Sequence, residues 1–481
     1  MTKYVLLFAA LLLAATVGCV RNQPEVVVIT ATFQSSEPGS EVVMAPLTQA
    51  PPVQQTLAAN IPLMNPTPDP TRPIDARPST DYVVQPGDTL TIIADRVGVS
   101  IETLLSYNSL VNPDLLEVGQ VIRLPDAPTE FSPDFKILPD SRFVYGPGSG
   151  DFDVAAFVAQ QPGYIRTATD TVNDVVLSAA DVVTRIAQEY SVSPQLLLAL
   201  LELRARWLSN PSPSDAEKTY AMGMTEATFG FDRNGLYRQL AWAADQLNAG
   251  YYGWKQRGLT SLELPDGARV MLSPGLNAGT VAIQYMLGQV LPYFEWSPAL
   301  DATGLYTIYN SYFGNPFTGA VEPLFQPGIP QPPMGFPFPP GETWFFTGGP
   351  HGGYGVGSAW AAVDFAPPDD PATKSSGCYI SDYFATAMAP GVIARIAEGT
   401  VILDLDGDGD ETTGWSVLYL HLAAQDRIAA GTQVQIGDRL GRPSCEGGFS
   451  TGTHMHIARR YNGEWIPASC ETCPTGQERP P

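Results

Sequence analysis

Hydrophobic positions along the chain fall into distinct patterns, and each predicts a different kind of structure. An apolar run over 4–17 follows Lys3 and closes at Gly18 and Cys19. It falls short of the roughly 20 residues that span a bilayer and has the layout of a secretory signal over 1–18. Over 19–80 no period survives. Prolines at 46, 51, 52, 62, 66, 68, 70, 73 and 78 predict an extended tether that holds the folded parts away from a membrane surface. Over 81–125 the pattern reads strand, helix, helix, strand. Tyr82, Val83 and Val84 form the first strand. Thr89 caps a helix bearing Leu90, Ile93, Ala94 and Val97. Ser100 caps a second helix with Leu104, Leu105 and Tyr107, and 119–125 returns as a strand. This is a small α/β (βααβ) core.

A helical period dominates 131–317 and predicts an all-α middle domain. Ser178 caps a helix bearing Val182, Val183, Ile186 and Ala187. Ser193 and Pro194 open a helix over 195–207 that is apolar nearly all round and so belongs in a core. Further helices are predicted over 236–255, 276–291 and 299–313. A second Pro-rich stretch, 322–341, reads as a linker. Beyond it, 342–468 is Gly-rich with period-two alternation and predicts a mainly antiparallel β domain, followed by a tail over 469–481. The fold class is therefore multidomain.

Composition narrows the function. The chain has 481 residues, 26 Lys plus Arg against 49 Asp plus Glu, and a net charge of −23. That balance excludes a basic nucleic-acid footprint. Five cysteines are present. Setting Cys19 aside leaves Cys378, Cys445, Cys470 and Cys473, an even number that fits two disulfides in an exported protein. Of the three pairings, Cys378–Cys445 with Cys470–Cys473 is adopted here. A zinc knuckle at Cys470 and Cys473 is the alternative, and it lacks a second pair of ligands.

Three segments ahead of the C-terminal region resemble known signals or families. Thr16-Val17-Gly18-Cys19 resembles a bacterial lipobox, with Thr16 where Leu is usual. The resemblance implies cleavage before Cys19, a diacylglyceryl group on its sulfur, and an extracytoplasmic lipoprotein anchored to the membrane of a bacterial cell envelope. The stretch YVVQPGDTLTIIADRVGVSIETLLSYNSL, closing with LEVGQVIRLP, resembles a LysM domain. This implies binding to N-acetylglucosamine strands of peptidoglycan or chitin. The implied groove lies between the loop of Gly87, Asp88, Thr89 and Leu90 and the loop around Asn112 and Leu115. These residues also serve as turns and caps. In the middle domain, YSVSPQLLLALLELRARW resembles the helix that carries the catalytic glutamate of lysozyme-like transglycosylases. Arg204 stands where the acid would be and cannot protonate a glycosidic oxygen. Glu202 is turned roughly 200° from that face. The implied domain is lysozyme-like and non-catalytic.

All four histidines, His351, His421, His454 and His456, lie in the C-terminal region. Alternation over 453–458 places His454 and His456 on one strand face, with Met455 and Ile457 on the other. Over 415–422 it places Leu418, Leu420 and Leu422 toward a core, and Tyr419 and His421 toward a groove. His351 sits in the Gly-rich loop 348–353. Asp364 ends an apolar run and is a carboxylate in need of a partner, which a metal supplies.

TGGPHGG, AWAAVDF, YLHL and CEGGFSTGTHMH resemble, in that order, the β-lytic branch of the LytM/lysostaphin zinc endopeptidases. The resemblance implies one catalytic Zn2+ held by His351, Asp364 and His456. It makes His454 the general base and gives His421 the task of orienting or stabilising the developing oxyanion. Asp404, Asp406 and Asp408 begin a Ca2+-loop pattern, but Trp415 stands where the closing Glu belongs. An acidic hairpin connection is the preferred reading there. The whole reads as a zinc endopeptidase that cuts peptidoglycan stems or cross-bridges. The alternative is a non-enzymatic wall-binding scaffold or activator of another hydrolase.

Overall fold

The computed structural model describes residues 27–30 and 81–468, apart from 86–87, 98, 111, 113–115, 127, 129, 226–231, 327, 370–373 and 375–376. Strand β1 (Val27–Thr30) falls inside the stretch expected as a tether. The small domain follows with β2 (Asp81–Val83), α1 (Leu90–Val97), α2 (Ile101–Asn108) and β3 (Val121–Arg123). Thr89 Oγ1 accepts from the Ile92 amide at 3.2 Å and Ser100 Oγ from the Thr103 amide at 3.0 Å. Both caps occupy amides that a helix start leaves without partners. Leu90, Ile93, Leu104 and Ile122 close the core between them.

The middle region contains α3 (Asp140–Phe143), α4 (Val154–Ala159), β4 (Thr169–Val172), β5 (Val175–Ser178), α5 (Ala179–Tyr190) and α6 (Pro194–Ala205). It continues with α7 (Asp215–Thr219) and α8 (Leu236–Tyr252), which runs into a π-helical turn over 253–257. Then come β6 (Ser261–Glu263), β7 (Arg269–Met271), α9 (Ala278–Gly288), α10 (Tyr293–Ala299) and α11 (Leu305–Phe313). The region is helical but not all-α. The hairpins β4–β5 and β6–β7 use strands of four and three residues, too short for an alternating pattern to register. Ser178 and Asp181 form the capping box that opens α5. Ser193 is the N-cap of α6 and Pro194 its first helical residue, as expected, although the Ser193 hydroxyl donates to Gln195 Oε1 and accepts no helix amide. Helix α6 is buried all round over 196–201 and stops at Ala205, because Arg206 takes a left-handed φ of 53°.

The C-terminal region builds β8 (Thr343–His351), β9 (Ala362–Ala366), β10 (Ala385–Thr386), β11 (Gly391–Ala397), β12 (Thr400–Asp404), β13 (Trp415–Leu420), β14 (Gln433–Val434), β15 (Arg439–Gly441), β16 (Met455–Tyr461) and β17 (Glu464–Ile466). The main sheet is antiparallel, in the order β1-β8-β9-β16-β13-β12-β11-β14, with β17 against β16. β1 pairs along β8, Val27 opposite Phe346 and Thr30 opposite Thr343. Both faces of this sheet are covered. Val417, Tyr419, Met455 and Ile457 pack with Trp344 and Phe365 on one side. Leu418, Leu420, Ala458 and Trp465 join the core of the helical region on the other. This corrects the expected groove face at Tyr419, which is fully buried. Nor is the Pro-rich stretch before β8 loose, since Phe338 is buried and stacks on Trp344 with ring centroids 5.1 Å apart. No helix among the described residues is long and apolar enough to cross a membrane.

Candidate metal centre

Four adjacent strands bring the chemistry together. β16 lies between β9 and β13, with His456 opposite Asp364 on one side and opposite Leu420 on the other. β8 delivers His351 at its end, after two register irregularities past Phe346. His421 follows β13 with a left-handed φ of 66°, so it leaves the strand alternation that would have placed it beside Tyr419. That turn brings its ring centroid within 4.5 Å of His454 and 6.2 Å of His456.

Each imidazole commits one nitrogen to a backbone carbonyl. His351 Nδ1 lies 3.2 Å from Gly352 O, and His421 Nδ1 lies 3.0 Å from Glu446 O. His454 Nδ1 lies 2.8 Å from Gly452 O, and His456 Nε2 lies 2.9 Å from Gly353 O. A carbonyl can only accept, so each of these nitrogens carries the proton. The remaining nitrogens of the neutral rings are bare lone pairs. His351 Nε2 lies 2.8 Å from Asp364 Oδ2, and His456 Nδ1 lies 3.2 Å from Asp364 Oδ1. His454 Nε2 stands 3.7 Å from Asp364 Oδ2.

Acceptors facing acceptors at these distances repel unless a cation sits among them. Asp364 Oδ1 is buried and accepts no hydrogen bond. The ligand atoms of His351, Asp364 and His456 all lie within 4.8 Å of one another. The set therefore fits a divalent ion, and a borderline-soft ion such as zinc suits two nitrogens and one oxygen. The carbonyls supply the outer hydrogen bonds that fix ring orientation in such sites.

Electrostatics agree with the geometry. Burial would raise the Asp364 carboxyl, but His351 and His456 outweigh it and hold it well below the usual carboxylate range. The neighbouring Asp364 carboxylate lifts His351 against its burial. His421 goes the other way, pushed down to about 4 by burial and by the neighbouring His454.

The other predicted positions divide. Cys378 and Cys445 form a disulfide. Cys19, Cys470, Cys473, Gly87 and Leu115 lie outside the described residues. Asp88 Oδ2 accepts from Tyr82 Oη at 2.6 Å and from the Gln85 amide at 2.7 Å, and Thr89 caps α1. Leu90 is core, so its side chain is withdrawn from any groove. Asn112 is exposed. Asp404, Asp406 and Asp408 cluster between β12 and β13. The Asp404 carboxylate folds that loop by accepting the amides of Asp406, Gly407 and Gly409. Glu202 accepts from Ser209 Oγ and from the amides of Leu208 and Ser209, an anchoring role after α6. Sequence reasoning missed the four orienting carbonyls. Any residue type can provide one, and the glycines around them were the available signal.

Parts of the chain are similar to known proteins. Residues 82–125 match the LysM domain, and residues 136–326 match the LasA N-terminal domain. Protease LasA of Pseudomonas aeruginosa is 24% identical over 348 residues, covering 68% of this chain and 74% of LasA. The beta-lytic metalloendopeptidase of Achromobacter lyticus is 28% identical over 160 residues, covering 32% of this chain and 37% of that protein. Among solved structures, the deep-sea M23 metalloprotease pseudoalterin is 25% identical and covers 28% of this chain and 74% of its own, with a TM-score of 0.23.

Proposed function

We propose that this protein is a zinc metalloendopeptidase that hydrolyses peptide bonds in peptidoglycan stems or cross-bridges, brought to the glycan by its LysM module. The observation that carries this reading is the convergence of bare ring nitrogens on the Asp364 carboxylate, His351 Nε2 on Oδ2 and His456 Nδ1 on Oδ1, the latter oxygen accepting no hydrogen bond. His351, Asp364 and His456 are the proposed metal ligands. Zinc held there supplies Lewis acidity and eases removal of a proton from water.

The chain's own residues supply the rest. His454 has its Nδ1 proton committed to Gly452, so Nε2 is the atom that accepts a proton. With a pKa near 4, His421 is neutral at physiological pH, and its Nδ1 proton is committed to Glu446. Its Nε2 is then an acceptor as well. The oxyanion-stabilising role implied by the family resemblance requires a proton on that nitrogen. In the neutral ring His421 backs His454 as a second acceptor.

Metal analysis of the full-length protein, with mass spectrometry of digested peptidoglycan, tests the reading. One zinc per chain and new amino termini within stems or bridges are expected. Intact peptides after exhaustive digestion would exclude it. The LysM module is proposed to hold N-acetylglucosamine strands along 87–90 and 112–115. Cys19 is proposed to carry the lipid anchor, so Cys19→Ser should move the protein from the membrane fraction to the soluble one.

A further inference from the structure

The loop that follows His351 does not stand alone. Residues 352–361 join β8 to β9, and their outer part lies on helix α8 of the helical region. The Gly357 amide donates to Asp245 Oδ1 at 2.8 Å. Arg257, in the π-helical turn after α8, donates to Gly357 O at 3.1 Å and to Ser358 O at 3.2 Å. Arg257 also ties back to Ala249 O at 3.0 Å, which fixes the guanidinium between helix and loop. The Tyr354 ring meets Tyr190 edge-on with centroids 5.0 Å apart.

The contact is close enough to exclude side chains. A Cβ on Gly357 would lie 2.0 Å from the Asp245 carbonyl oxygen. One on Gly355, whose φ is 70°, would lie 2.4 Å from Asp245 Oδ1. One on Gly353 would lie 2.5 Å from the Trp465 ring. Trp465 is itself pinned to the helical region, its amide donating to Tyr252 Oη at 2.8 Å. The other end of this loop does the chemical work. Gly352 O and Gly353 O receive the protons of His351 and His456, and Gly353 N returns to Ala359 O at 3.1 Å. The backbone that aims two of the three proposed ligands is thus gripped from behind by another domain.

We propose that Asp245 and Arg257 are positioning residues for the peptidase site. Through the 352–358 loop they hold the carbonyls that orient His351 and His456, so the helical domain is a working part of the metal centre. This rests on the metallopeptidase reading above for the identity of the ion. Outer hydrogen-bond partners of metal ligands are each worth roughly ten- to a hundredfold in affinity. A grip one step further out should act at the low end of that range.

The test is a chelator-competition titration of zinc into metal-free full-length protein, read beside thermal unfolding. Asp245→Ala and Arg257→Ala should bind zinc about tenfold more weakly. Asp245→Asn keeps an oxygen acceptor for the Gly357 amide and should restore affinity to within about threefold of wild type. Leu247→Ala removes a buried side chain of the same helix that can make no hydrogen bond to the loop. It should lower the unfolding temperature and leave zinc affinity unchanged. Wild-type affinity in both alanine variants would overturn the proposal, as would equal weakening in Leu247→Ala. Failure of the wild-type protein to bind zinc would instead overturn the metallopeptidase reading.

Discussion

Arg460 Nη2 donates to Glu411 Oε2 at 2.7 Å where both side chains are almost wholly withdrawn from water. Arg395 donates from Nε to Oε1 and from Nη2 to Oε2 at 3.1 Å, so one anion sits between two cations. Arg460 lies on β16, the strand that carries His456, and its guanidinium rests over the Trp465 ring at 5.2 Å. Removing one member of a buried, hydrogen-bonded charge group leaves its partners uncompensated, at a cost of about 3–5 kcal/mol. Glu411→Ala should lose stability of that order in denaturant unfolding. A loss below about 1 kcal/mol, the value of an exposed pair, would show that the group does not hold β16.

The same carboxylate gives a pH signature. Burial would raise Glu411, but Arg395 and Arg460 outweigh it and bring it down from 4.5 to about 2. A depressed folded pKa means that the unfolded chain takes up the proton first as acid is added. The stabilisation is therefore complete above pH 4.5 and is lost as pH falls through about 2. Unfolding free energy measured across this window should drop in the wild type and drop less steeply in Glu411→Gln. Parallel curves for the two proteins would remove Glu411 from the acid limb.

His454 and His456 should separate on substitution. His456 supplies Nδ1 to the Asp364 cluster, whereas His454 Nε2 stands back at 3.7 Å. His456→Ala leaves two protein ligands and should purify zinc-poor and inactive. His454→Ala should keep the metal and slow peptide cleavage by roughly a hundredfold or more. Metal content and turnover of both variants under one protocol decide the matter. Zinc loss in His454→Ala with retention in His456→Ala would reverse the two roles.

The site was legible in the sequence to the extent that side chains carry chemistry. His454 and His456 two apart on a strand, with Met455 and Ile457 between and beyond, read correctly because alternation is a local backbone property. The partition at Tyr419 did not, because it assumed one wet face. Here a second domain covers the sheet, so Leu418 and Tyr419 are both buried against different neighbours. His421 leaves the alternation through a left-handed φ, which a period-two pattern along the strand does not anticipate. Phe338 illustrates another limit. A Pro-rich run looks like a linker, and whether its aromatic finds a partner depends on Trp344, which the local pattern cannot place.

The Cys378–Cys445 disulfide should matter for chemistry more than for metal binding. It closes a sequence separation of 67 residues, for which chain entropy gives about 4 kcal/mol. Cys445 also precedes Glu446, whose carbonyl holds the His421 ring. The same loop reaches Ser450, whose hydroxyl lies 3.3 Å from His454 Nδ1. None of the three proposed metal ligands lies on this loop. The Ser444 amide donates to His421 O at 2.6 Å, a bond that does not involve the disulfide, so without the disulfide the loop should stay attached but less well fixed. The variant carrying both Cys378→Ser and Cys445→Ser should therefore unfold at lower denaturant, retain zinc, and lose kcat with little change in KM. Unchanged kcat would show that hydrogen bonds alone fix the Glu446 carbonyl. Loss of zinc would show that the loop supports the ligand set as well as His421 and His454.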